Sequence, residues 1–106
     1  MSTDNNAGVM LTTTLADIYT APAGGAKISL IQVANTHAEN EVDVTVVWSN
    51  ASASNLEIPF CSNSPVAVGD GLSVQAGGMI LKPGDKIRAR ASAASNAAIT
   101  VAVIEG

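Results

Sequence analysis

The sequence predicts an all-β fold, a small antiparallel β-sandwich or jelly-roll-like domain, and three observations carry that expectation. Turn signals built on Gly, Pro and Asn recur about every eight to twelve residues. The segments between them are rich in Val, Ile and Thr, residues whose branched side chains suit a pleated surface. No run sustains helical periodicity with capping at both ends.

The elements follow in order. Residues 1–8 are polar and end in Ala7-Gly8, which reads as a flexible N-terminal arm; residues 9–106 form the single domain. Val9 to Leu15 is β-like, and Ala16 to Thr20 continues it or makes a second short strand. Ala21-Pro22-Ala23-Gly24-Gly25 is a strong break, because Pro removes a donor and Gly accepts positive φ. Ala26 to Thr36 is the next run. Its alternation slips between Leu30 and Ile31, which implies a bulge or a strand covered on both faces. After the polar loop His37 to Glu41, Val42 to Ser49 alternates cleanly, with Val42, Val44, Val46 and Trp48 on the core face. Leu56 to Phe60, Pro65 to Val68, Leu72 to Gln75 and Met79 to Leu81 are short strands between turn formers. Lys82-Pro83-Gly84-Asp85 leads into Lys86 to Ala93, and Ala98 to Ile104 closes the chain.

Hydrophobic residues make up 47% of the 106 and charged residues 13%, against roughly 25% in ordinary domains. A surface this poor in charge suits a protein packed against neighbours, because charge opposes association. With Trp48, Tyr19 and Phe60 as the only aromatics, a small core gains from burial across subunits. We therefore expect a homo-oligomer. The net charge of -4 argues against a nucleic-acid partner. No segment reaches the roughly 20 apolar residues of a spanning helix, so no membrane partner is expected. The start of the chain lacks the features of a signal peptide, so synthesis in a cytoplasm is expected. The sequon Asn50-Ala51-Ser52 then marks only a surface turn.

The residues that could carry chemistry are few. His37 is the single histidine and stands near Glu39 and Glu41, a weak metal grouping that reads better as a solvated loop. Asp70 and Asp85 adjoin Gly in turns without the repeated spacing of a calcium loop. Cys61, beside Phe60, reads as a small buried hydrophobe. We expect no catalytic residues, cofactor or metal, and so no enzyme. One feature stands out. On the strand entered at Asp85, Lys86, Arg88 and Arg90 share one face, three of the five basic residues. The plain reading is a solvated face that guards an edge; the functional one is a docking stripe. The polar arm gives a second candidate contact set, Ser2, Thr3, Asp4, Asn5 and Asn6, able to order on a neighbour.

The run Leu11 to Gly25, with Tyr19-Thr20-Ala21-Pro22-Ala23-Gly24, is followed by an apolar strand ending at Asn35-Thr36 and by Val44-Thr45-Val46. Leu81-Lys82-Pro83-Gly84-Asp85 comes late, and Ile99 to Glu105 closes. In this order the chain, beyond Gly8, resembles small virion proteins of tailed bacteriophages, most of all capsid decoration (cement) proteins. These motifs are turn and strand signatures and carry no catalytic residues. The resemblance implies a structural protein on the outer head surface, bound to the major capsid protein, stabilising contacts between capsomers, with a trimer favoured. A tail or fibre module is the alternative; a carbohydrate-binding module is a more distant one, since sugar sites need exposed aromatic platforms.

Overall fold

The computed structural model describes residues 3–37, 39–93 and 96–105. Eight strands follow in order: β1 (Thr3–Met10), β2 (Ala16–Thr20), β3 (Ala26–Asn35), β4 (Val42–Asn50), β5 (Leu56–Val66), β6 (Gly71–Leu81), β7 (Lys86–Ala91) and β8 (Ala97–Glu105). Among the described residues a single 3-10 turn, Ala51–Ala53, interrupts them. They form two four-stranded sheets ordered β1-β8-β3-β6 and β2-β7-β4-β5, in which every pairing is antiparallel. Only β4 and β5 make a hairpin within one sheet; every other connection crosses to the opposite sheet. This is the double-sheet arrangement of a jelly roll.

The core lies between the sheets. Ile28, Ile31 and Val33 of β3 face Val42, Val44 and Val46 of β4, with Ile87, Ile99, Val101 and Leu81 around them, all fully or almost fully buried. Each such side chain stabilises the fold by about 1.5–3 kcal/mol relative to exposure. The slip in β3 is a bulge. Buried positions run Ala26 and Ile28, then Ile31, Val33 and Asn35, and the register shifts between Ile28 and Leu30 against both neighbouring strands. The extra residue re-aims the second half of the strand at the core.

Three expectations change. Residues 3–8, expected as a flexible arm, pair with β8 as part of β1, without a break in register from Thr3↔Glu105 to Met10↔Ala98. The cause is non-local: the free edge of β8 supplies main-chain partners to a segment in which Asn5, Asn6 and Gly8 are exposed. Residues 11–15 leave the strand as a loop. The paired short strands expected over 56–68 and 72–81 are two 11-residue strands, β5 and β6. In β5 the turn formers make bulges instead of ends. Asn63 takes φ 49, and its N–H donates to Thr45 Oγ1 at 2.9 Å, closing the bulge from the neighbouring strand.

Candidate functional site

Lys86, Arg88 and Arg90 alternate along β7 with buried Ile87, Ala89 and Ala91, as their spacing requires. However, β7 runs between β2 and β4, so the stripe lies mid-sheet and guards no edge. It is also largely neutralised from within. Lys86 Nζ lies 3.3 Å from Asp17 Oδ2. Arg88 Nε donates to Asp17 Oδ1 at 2.8 Å, and Arg88 Nη1 donates to Glu57 Oε2 at 2.6 Å. Asp17 stands on β2 and Glu57 on β5, so Arg88 reaches across β4, where its register partner is Val47. Val47 points away from the core yet is only 6% exposed, as expected beneath a long arginine stem. The hydrogen bond to Glu57, opposed by burial and aided by Asp17, raises the Arg88 guanidinium above its ordinary value. Each of these half-exposed pairs contributes about 0.2–1 kcal/mol. Among the described residues Arg90 enters no ion pair, which leaves it the one member of the stripe not already engaged.

The second candidate set lies elsewhere. Ser2 is outside the described residues; Thr3 and Asp4 open β1, the edge strand of the other sheet. Asn5 and Asn6 are exposed there, and Asn5 Nδ2 donates to Glu105 Oε2 at 3.3 Å. The fold does not bring arm and stripe into one patch. Nor are three or more His, Cys, Asp or Glu side chains grouped to hold a metal among the described residues.

The remaining polar groups that drew notice in the sequence hold loops in place. His37 Nδ1 accepts from the N–H groups of Glu39 and Asn40 at 3.0 and 2.9 Å, so the ring caps its own loop. Asp85 is fully buried and gathers one end of the sandwich. Its carboxylate accepts from Trp48 Nε1 at 3.1 Å, Ala51 N at 2.9 Å and Lys82 N at 3.1 Å. Asn35 does the same at the other end. Its Nδ2 donates to Asn40 O and Val66 O, and its Oδ1 accepts from His37 N, at 2.8–3.0 Å. Tyr19 joins the two sheets by donating to Glu105 Oε2 at 2.5 Å. Burial first, then the hydrogen bond and charge of Glu105, push its phenol above the ordinary 10.0. Cys61 is half-buried on β5, with Sγ 3.8 Å from Val44 O. Tyr19 lies in the core, and Trp48 and Phe60 pack against it.

The surface feature that sequence reasoning missed is apolar. On the outer face of the β1-β8-β3-β6 sheet, Lys27 sits in register between Ile80 of β6 and Ile104 of β8. Ile80 is 69% exposed and Ile104 37%. With Gly25, Pro83 and Lys82 they line an open groove of about 380 Å³. The only signal in the sequence was Lys27 flanked by core positions; its cross-strand neighbours depend on pairings that no local pattern specifies. Leu56 and Ile58 add exposed apolar area on the edge strand β5.

No protein-family model matches this chain, and no curated protein matches it. Its fold is similar to that of a chain from Bacillus endospore appendages, described as a family of disulfide-linked pili. The TM-score is 0.61 over 99% of this chain and 86% of that one, at 15% identity. At that identity the likeness concerns the fold alone.

Proposed function

We propose that this chain is a structural virion protein that decorates the outer surface of a tailed-phage head and stabilises contacts between capsomers. The observation that supports it best is the direction of the molecule's polar and apolar groups. Asp85, Asn35, His37 and Arg88 make their hydrogen bonds to other groups of the fold itself. Large apolar side chains such as Ile80 and Leu56 stand on the surface, at 69% and 56% exposure. Such a molecule is suited to contact; the family resemblance of its turns and strands supplies the partner, the major capsid protein. A trimer presents each contact three times, so weak patches add through effective concentration. Of the candidate contacts, the Asn6 side chain on the edge of β1 and Arg90, which enters no ion pair among the described residues, are available without breaking the bond that Asn5 makes to Glu105.

The test is sedimentation of the purified protein with heads that lack it. Saturable binding at a fixed ratio to capsomers supports the reading. If neither expanded nor unexpanded heads bind, the reading fails. Charge reversal at Lys86, Arg88 and Arg90 separates contact from scaffold: unchanged binding by a folded variant makes the stripe an internal brace only.

A tail or fibre module is the second reading. It is favoured by the similarity in fold to an appendage protein described as forming pili, and recovery of the protein with purified tails instead of heads would replace the first reading with it. The carbohydrate-binding reading loses its main residue, because the Trp48 indole packs on the core and donates to Asp85.

A further inference from the structure

The two ends of the sandwich carry complementary surfaces. Towards the end organised by Asp85, the groove on the outer face of the β1-β8-β3-β6 sheet is lined by Ile80 and Ile104, with Lys27 in register between them and Lys82 beside Ile80 and Leu81 in its lining. Both amines are exposed, and neither enters an ion pair among the described residues. They are two of only five basic residues in the chain. At the other end Asn35 holds two loops side by side, 36–41 through Asn40 O and 67–70 through Val66 O. Asn35 N also donates to Asp70 O at 3.0 Å, tightening the same junction. These loops present Glu39, Glu41 and Asp70, all exposed and outside the ion pairs formed by the described residues. In the 67–70 turn, Val68 is 44% exposed. One end therefore offers an apolar groove that carries two amines, and the other an apolar knob, Val68, on a junction of loops that carries three carboxylates. The strands run between these ends in a molecule 44 Å long and 18 Å thick.

We propose that a second copy of this chain docks head to tail, its Val68 knob and Glu39/Glu41/Asp70 carboxylates seated on the Lys27/Lys82 groove. The contact joins two different surfaces, so a docked pair still presents one free knob and one free groove, and association propagates or closes into a ring. Opposite charges on the two surfaces set orientation and disfavour groove-to-groove pairing, where four amines would meet. The inference deepens the homo-oligomer part of the reading above by naming its surfaces.

The test is sedimentation velocity of the intact protein from about 10 μM to about 1 mM, the range in which a modest contact becomes populated. Wild-type protein is expected to grow in mass with concentration, and less so in high salt, where surface charges are screened. Lys27→Glu with Lys82→Glu, and separately Glu39→Lys with Glu41→Lys and Asp70→Lys, should each weaken self-association by at least about tenfold. Mixing these two variants should restore association, because each retains the surface the other lacks. Ile80→Ser tests the apolar lining with every charge in place and should also weaken it. Trp48 fluorescence confirms that each variant is folded. A wild-type monomer throughout, or variants that associate as wild type does, or a mixture that stays monomeric, overturns the proposal. If the protein associates through these ends yet ignores phage heads, the contact stands and the decoration reading fails.

Discussion

Asp85→Ala gives the sharpest perturbation of the fold. The Asp85 carboxylate is 0% exposed and accepts from Trp48 Nε1, Ala51 N and Lys82 N at 2.9–3.1 Å. Removing it orphans three donors, and an orphaned buried donor costs about 1–3 kcal/mol. The three donors are only partly buried, so water can satisfy them in part and the low end applies to each. The expected total is about 3–5 kcal/mol, a large share of the 5–15 kcal/mol typical of a domain. Asp85→Asn is the milder variant. Its one oxygen can take the place of Oδ2, which serves Trp48 and Lys82, and its amide then faces the Ala51 N–H. That single mismatch costs about 1–3 kcal/mol. Urea denaturation followed by fluorescence reads both, because Trp48 is the only tryptophan and donates to the altered group. An Asp85→Ala protein within about 1 kcal/mol of wild type at an unchanged m-value would refute the bracing role.

At the opposite end, Asn35→Ala removes three hydrogen bonds and should cost about 2–3 kcal/mol, with faster amide exchange in loops 36–41 and 67–70. Gly25→Ala should destabilise by more than about 1 kcal/mol in the same denaturation assay. Gly25 has φ 76, and an added Cβ would stand 2.9 Å from Leu81 O. Tyr19 makes stability pH-dependent on the alkaline side. Its folded pKa is raised, so its contribution is complete below the unfolded value of about 10 and is lost as pH rises beyond it. In Tyr19→Phe that alkaline decline should be shallower than in wild type, measured by urea titration at successive pH values.

What could be read from the sequence was what local pattern specifies. The alternation from Val42 to Ser49 gave β4 its core face, and Lys86 to Ala91 gave β7 its two faces, because a strand's period is independent of its partners. The break at Ala21 to Gly25 and the turn at Lys82 to Asp85 were legible for the same reason: Pro and Gly impose their φ locally. What escaped was non-local. Residues 3–8 lack an apolar pattern, and only the open edge of β8 makes them a strand. The bulge at Asn63 could not be told from a strand end without Thr45 across from it. The stripe was placed on the correct face, but Asp17 and Glu57 lie 71 and 31 residues away in sequence, so its neutralisation was invisible. Asp85 looked like turn chemistry; its burial against Trp48 depends on two loops meeting.

Decoration of a shell is tested by the disruption temperature of phage heads, followed by calorimetry, with and without saturating protein. A ligand that binds only the assembled shell stabilises it by linkage, in proportion to the logarithm of its concentration above Kd. The disruption temperature is expected to rise as protein is added and, once every site is filled, to keep rising with the logarithm of the free protein concentration. An unchanged disruption temperature at saturating protein would contradict it.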